Sequence, residues 1–100
     1  MKNIRLENFL SIFGREVRWA IIYELWLARR PLSVPDLMKR IGCSESVVRK
    51  HAHRLCALAV ISRQFIGRIR GVEYSLNFQG EYGPLLAAVC KLFEVFPCKR

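Results

Sequence analysis

One hundred residues suit a single small domain, residues 1–100, and a hydrophobic fraction of 52% excludes a disordered chain. The apolar stretches near residues 19–28 and 85–96 are too short or too interrupted to span a bilayer, and the first residues lack a secretory signal, so we expect a cytoplasmic protein with no membrane partner. The net charge is +9, and residues 44–71 hold six arginines and lysines but only one acidic residue. A basic segment of this kind favours a polyanionic partner.

Two helices are predicted before Pro31, which stops the second. Residues 3–13 and residues 15–30 both repeat apolar side chains at helical spacing. Trp19 and Trp26 are seven residues apart and therefore share one helix face. The aromatic residues of both helices are expected in the core or in a subunit interface; they are Phe9, Phe13, Trp19, Tyr23 and Trp26.

Residues 32–58 have the pattern of a helix-turn-helix. Ser33 is placed to cap the first helix, Pro35 falls in its first turn, and Asp36 suits its positive end. Gly42 is suited to end that helix, and Ser44 to cap the second. The inward positions of the second helix are Val48, His51 or Ala52, Leu55 and Leu58.

Residues 60–78 alternate around the segment GRIRG, which predicts a β-hairpin whose tip carries Arg68 and Arg70. Residues 84–97 form a last helix that is apolar nearly all round, so we expect a second subunit to cover it. The predicted order is α-α-α-α-β-β-α. This is a mainly α fold with a β-hairpin wing, a winged helix-turn-helix.

The four cysteines do not form a metal-binding pattern. Cys43, Cys56, Cys90 and Cys98 contain no CxxC pair, and their spacings fit no zinc ribbon or finger. Cys56 and Cys90 have the character of small core residues. The sequence also lacks a phosphate loop, a nucleophile elbow and a His–Cys pair with a supporting acid. We therefore predict no enzymatic activity and no cofactor.

The segment from Leu32 to Leu76 resembles the DNA-binding core of ArsR-type winged-helix repressors. The matching positions are Leu32-Ser33-Val34, Leu37, Cys43-Ser44, Ser46, Val48, His51, Leu55, Ala59-Val60-Ile61 and Tyr74-Ser75-Leu76. The resemblance implies a transcriptional repressor that binds double-stranded DNA as a homodimer, with the second helix of the motif in the major groove and the wing on flanking DNA. The DNA-binding candidates are Ser44, Glu45, Ser46, Val47, Arg49, Lys50, His53, Arg54, Arg63, Arg68 and Arg70. The dimer-interface candidates are Phe9, Phe13, Leu85, Leu86, Val89, Leu92, Phe93 and Phe96.

The sequence departs from that family at three places. The metal-sensing members carry a Cys-x-Cys in the first helix of the motif, where residues 33–37 here contain no thiol. Others place Asp and His ligands on the last helix, which here has no histidine, so no metal site is expected. Ala59 stands where the family has glycine before the first strand.

Individual side chains of the motif allow more than one interpretation. Arg49 and Lys50 lie away from the inward face and can bind guanine or phosphate. Glu45 can favour the helix dipole or accept from cytosine. His51 is expected to be packed and hydrogen-bonded in the core, whereas His53 is expected to touch phosphate or water.

Two other functions fit the same residues. The first is a winged helix used for protein–protein contact, which would bind DNA weakly. The second is a redox-responsive regulator in which Cys43 or Cys98 changes DNA affinity. A double-stranded RNA ligand is a weaker variant, because the deep and narrow RNA major groove excludes a helix. Any small-molecule effector is unknown.

Overall fold

The structure is a computed structural model that describes residues 12–69 and 71–95. Within those residues it contains four helices and three strands. In chain order they are α1 (Glu16–Ala28), β1 (Leu32–Ser33), α2 (Val34–Ile41), α3 (Glu45–Ala57), β2 (Ile61–Gly67), β3 (Gly71–Leu76) and α4 (Gly83–Val95). The helices, the antiparallel sheet and the hairpin confirm the predicted winged helix-turn-helix. The helix predicted over residues 3–13 lies outside the described residues except for Ile12 and Phe13, which are both buried.

Local sequence signals determine where α2 and α3 begin. The Ser33 hydroxyl accepts from the backbone N–H of Asp36, and the Asp36 carboxylate accepts from the backbone N–H of Ser33, a reciprocal capping box. Gly42 ends α2 in the left-handed conformation, with φ of 82°. The Ser44 hydroxyl then accepts from the backbone N–H of Val47 and caps α3. All three predicted boundary residues are confirmed.

Strand β1 is an element that the sequence patterns do not indicate. Leu32 and Ser33 pair antiparallel with Tyr74 and Glu73, so the strand order is β1-β3-β2. This pairing places the start of α2 beside the hairpin. The hairpin therefore contacts the helix-turn-helix at both ends of the motif. β1, which precedes α2, pairs with β3, and β2 follows α3 in the chain.

An aromatic cluster joins α1 to the C-terminal helix α4. The Phe93 ring lies 5.4 Å from the ring of Trp19, 5.1 Å from Tyr23 and 5.4 Å from Trp26, measured between ring centroids. Phe13 adds a contact to Trp19 at 5.2 Å. Trp19 and Trp26 thus share a helix face as predicted, and Phe93 is the common centre of their packing.

Several of the predicted dimer-interface residues belong to the core of the single chain. α4 is covered on one side by α1 of the same chain, so several of its apolar residues are core residues of one protomer. Leu85 is half-buried, and Leu92 is half exposed. Phe9 and Phe96 lie outside the described residues. The interface candidates already buried in the single chain are Phe13, Leu86, Val89 and Phe93.

The chain bends sharply between α3 and β2. Ala59 there adopts a left-handed conformation with φ of 59°, which favours glycine, the residue of the resembling family. The Ala59 carbonyl accepts from the Asn77 side-chain amide at 3.0 Å, and the Val60 carbonyl accepts from the Asn77 backbone N–H at 2.9 Å. These bonds close the far end of β3 against the α3–β2 bend and stabilise the strained position.

Candidate nucleic-acid interface

Helix α3 presents one face to the core and the opposite face to solvent. Val48, Ala52 and Leu55 are buried, whereas Arg49, Lys50 and His53 are exposed. This alternation is the amphipathic pattern of a helix that anchors on one side and offers polar groups on the other. We call α3 the recognition helix from here on, after its position as the second helix of the helix-turn-helix motif.

A groove of about 890 Å³ separates the recognition helix from the hairpin. Ser46, Arg49, Lys50 and His53 line it from the helix, and Arg63 lines it from β2. Five of the predicted DNA-binding residues are thus brought together around one concavity. Three of its lining side chains, those of Arg49, Lys50 and Arg63, are cationic, so both walls carry positive charge. The remaining lining residues, which sequence reasoning missed, are Cys56, Ala57 and Tyr74.

Tyr74 belongs to the groove because of the hairpin register. Arg63 of β2 is paired directly with Tyr74 of β3, so both side chains project from the same face of the ribbon. Burial raises the pKa of the Tyr74 phenol, which stays protonated and neutral. Tyr74 is distant from Arg63 in the sequence, so only the strand pairing identifies it as a residue of the groove.

Of the other predicted DNA-binding residues, those that the structure describes do not line this groove. Ser44 and Glu45 stand at the exposed start of the recognition helix, and Val47 is half-buried there. Arg54 is exposed but does not line the groove. Arg68 is exposed at the hairpin tip, and Arg70 lies outside the described residues.

Glu45 and Arg49 form an ion pair on the groove side of the recognition helix. The Glu45 carboxylate accepts from Arg49 Nε at 2.7 Å, and both side chains are more than half exposed. The spacing i, i+4 is the ordinary one for such a pair on a helix and was present in the sequence. A ligand that binds Arg49 therefore competes with the Glu45 carboxylate of the same helix.

His51 connects the recognition helix to α1. Its Nδ1 accepts a hydrogen bond from Arg18 Nε at 3.0 Å, so the ring is hydrogen-bonded as predicted, although it is half-buried. Partial burial lowers the pKa of His51, and the nearby charges of Arg18, Lys50 and Arg15 lower it further. The ring is therefore neutral at neutral pH, the state in which Nδ1 can accept.

Acidification is expected to weaken folding through His51. Because its folded-state pKa lies below the ordinary 6.5, the unfolded chain binds more protons once the pH falls below that value. The stabilisation is fully present above about pH 6.5 and is lost as the pH falls toward the folded-state pKa. Urea unfolding between pH 5 and 8 should show a steeper decline for the wild type than for His51→Gln. The exposed His53→Gln is the matched control for the loss of one imidazole. Equal changes in slope for the two variants would contradict the assignment to His51.

Two of the described thiols, those of Cys56 and Cys90, lie in surroundings that reduce their nucleophilic character. Cys56 is half-buried and Cys90 is buried, and burial raises the pKa of each thiol. Cys43 is half-buried in the turn, and Cys98 lies outside the described residues. Within residues 12–69 and 71–95 no group of three or more His, Cys, Asp or Glu side chains could hold a metal ion. In the same residues no helix has the length and apolarity to cross a membrane.

The fold is similar to that of several solved transcriptional regulators. Reduced HlyU from Vibrio cholerae N16961 is 22% identical with a TM-score of 0.73, and the match covers 91% of this chain and 86% of HlyU. The transcriptional repressor BigR from Xylella fastidiosa is 18% identical with a TM-score of 0.72, covering 95% and 89%. Diamide-treated YodB from B. subtilis is 21% identical with a TM-score of 0.67, covering 100% and 99%. No family model and no curated protein matches the chain.

Proposed function

We propose that this chain is a sequence-specific transcriptional regulator that binds double-stranded DNA. The observation that carries the proposal is the groove between the recognition helix and the hairpin, with Arg49 and Lys50 on one wall and Arg63 on the other. The similar solved structures support it, since they are winged-helix regulators. The resemblance to ArsR-type repressors stays a prediction.

The dimensions of the motif suit duplex DNA. The recognition helix has 13 residues, and a helix with its side chains is about 10–12 Å across, which fits a major groove about 12 Å wide. The exposed face of that helix would lie against the base edges. The sugar-phosphate backbone of one DNA strand would then pass through the cationic groove. Arg68 at the wing tip would then reach the flanking backbone or minor groove.

The ion pair of Glu45 and Arg49 would favour selection among sequences. The carboxylate repels phosphate, and so it weakens binding to any duplex. A guanine gives Arg49 two acceptors in place of the carboxylate, and the paired cytosine offers Glu45 an amino donor. Only a suitable base pair would offset the repulsion between the Glu45 carboxylate and the DNA. The repulsion would therefore increase discrimination between binding sites.

We also propose that the regulator acts as a homodimeric repressor. After α1 has covered one side of α4, an apolar stripe remains on the other, formed by Ala88, Leu92 and Val95 at i, i+4 and i+7. Leu92 is 51% exposed and Val95 is 66% exposed. A second copy would bury this stripe and place a second recognition helix on an adjacent half-site about 34 Å away. Repression is the direction that the resemblance implies, and BigR is a repressor of similar fold.

Fluorescence anisotropy on a random DNA duplex tests the proposal. The wild type should bind with an affinity that falls as salt rises, and Arg49→Ala/Lys50→Ala should flatten the log–log salt slope by about 0.9 for each lost phosphate contact. Lys50→Ala and Lys91→Ala form a matched pair, because both remove one exposed lysine and only the first lies in the groove.

The outcomes separate the proposal from its alternatives. Equal effects of Lys50→Ala and Lys91→Ala would mean that net charge alone, rather than the groove, holds the DNA. An absence of binding at low salt would contradict the proposal and favour the protein-contact function. Tighter binding to duplex RNA than to duplex DNA would contradict the major-groove arrangement.

A further inference from the structure

The tip of the hairpin exposes large apolar side chains that the groove does not use. Ile69 is 100% exposed, and Phe65 is 69% exposed. A loop tip usually carries small or polar residues, so large apolar side chains exposed there indicate a binding surface. Neither side chain can bind phosphate, so the cationic groove does not account for them.

The register places Phe65 on the face of the ribbon that lines the groove. Phe65 follows Arg63 by two residues on β2, and alternate residues of a strand project from the same face. Its cross-strand partner is Val72, just as the partner of Arg63 is Tyr74. The face that begins with Arg63 and Tyr74 beside the recognition helix thus continues outward as Phe65 and Val72. We call Phe65, Val72 and Ile69 the wing ridge.

The loop is built to project Ile69 beyond the strands. Gly67 pairs with Gly71, and both have positive φ, 128° and 72°, which only glycine adopts readily. The register shifts by one residue between Phe65 and Gly67, an irregularity that bends a strand and redirects its side chains. Ile69 is the central residue between the two glycines. In the sequence it stands between Arg68 and Arg70.

We infer that the wing ridge inserts into the minor groove of the flanking DNA, with Ile69 as a wedge between two base pairs. This inference rests on the proposed function. An apolar wedge beside cationic side chains is the arrangement that unstacks a base step and kinks the duplex. Arginine binds the phosphates and the narrow groove, while isoleucine gains burial only between bases. The wedge favours flexible pyrimidine–purine steps, TA above all, because they unstack at the lowest cost.

The wedge and the phosphate contacts have different experimental signatures, so two neighbouring substitutions separate them. Ile69→Ser removes the wedge and no charge, whereas Arg68→Ala removes a charge and leaves the wedge. Both side chains are exposed, so neither change removes core packing. Unchanged circular dichroism would verify that each variant is folded.

The experiment measures DNA bending and salt dependence on one duplex. The duplex is about three helical turns long, is enriched from a randomised pool by the wild-type protein, and carries a fluorophore at each end. Wild-type protein should raise energy transfer between the ends by bending the duplex. Ile69→Ser should return transfer to the value of free DNA with an unchanged salt slope. Its affinity should fall by less than about tenfold, because the cost of unstacking is lost together with the wedge.

Arg68→Ala should show the opposite pattern. It should keep the bend and flatten the salt slope by about 0.9. A bend that persists in Ile69→Ser, or wild-type binding without any bend, would overturn the inference while leaving the proposed function intact. In that case a protein surface becomes the remaining partner for the wing ridge. If the wild type binds no duplex at low salt, the proposed function fails and the inference with it.

Discussion

Phe93→Ala is expected to lower the free energy of unfolding by about 3–5 kcal/mol, the usual loss when a large aromatic core residue is truncated. Phe93 is 4% exposed and contacts Trp19, Tyr23 and Trp26. A small domain is stable by only about 5–15 kcal/mol, so this loss would remove a large fraction of its stability. Urea denaturation followed by circular dichroism measures the loss.

Phe65→Ala is the matched control for that prediction. The chemical change is identical, but Phe65 is 69% exposed, so the loss should be within about 0.5 kcal/mol. Phe93→Leu retains most of the buried volume and should fall between the two, which keeps the comparison measurable if Phe93→Ala does not fold. Equal losses for the two alanine variants would show that α4 does not pack on α1 as described.

Arg40→Met is expected to destabilise the fold by about 2–3 kcal/mol, because it leaves the Glu24 carboxylate without this counter-charge. Glu24 lies on α1 and is 4% exposed, and its Oε1 accepts from Arg40 Nη1 of α2 at 3.2 Å. Arg40 is itself about one third exposed, so the loss is set below that of a fully buried pair. The pair fixes the helix-turn-helix against α1. Thermal unfolding or urea titration gives the value.

The exposed pair of Glu45 and Arg49 provides the comparison. Its distance of 2.7 Å is shorter than the 3.2 Å of the Glu24–Arg40 pair, yet Arg49→Met should lower stability by only about 0.3–0.5 kcal/mol. Water already solvates both of its partners, whereas Glu24 depends on the protein. Glu24→Gln added to Arg40→Met should recover part of the loss, since the buried charge is then gone. Similar losses for the two arginine variants would contradict this account.

Local interactions are the part of the fold that sequence patterns predict well. Ser33, Gly42 and Ser44 act on neighbours within a few residues, so the bounds of α2 and α3 follow from the sequence. The exposed placement of Arg49 and Lys50 follows from helical spacing in the same way. β1 could not be foreseen, because two residues carry no periodicity and the strand exists only through its pairing with Tyr74 and Glu73.

Long-range pairings explain the other differences between sequence and structure. The composition of α4 shows that its apolar surface needs a cover, but it does not say whether α1 or a second subunit provides it. The ring contacts of Phe93 assign that cover to α1 for one side of the helix. Tyr74 enters the groove through a register that no local pattern encodes. The ion pair of Glu45 with Arg49, by contrast, can be predicted from the i, i+4 spacing of the two residues alone.

The aromatic cluster also determines which part of the protein its tryptophan fluorescence monitors. The chain has two tryptophans, and both touch the Phe93 ring. Intrinsic tryptophan fluorescence is therefore a local probe of the packing between α1 and α4. Far-ultraviolet circular dichroism, by contrast, averages over every helix. Coincident transitions by the two probes would mark a single cooperative unit. An earlier fluorescence transition would show that the C-terminal helix detaches first, as a separate unit of lower stability.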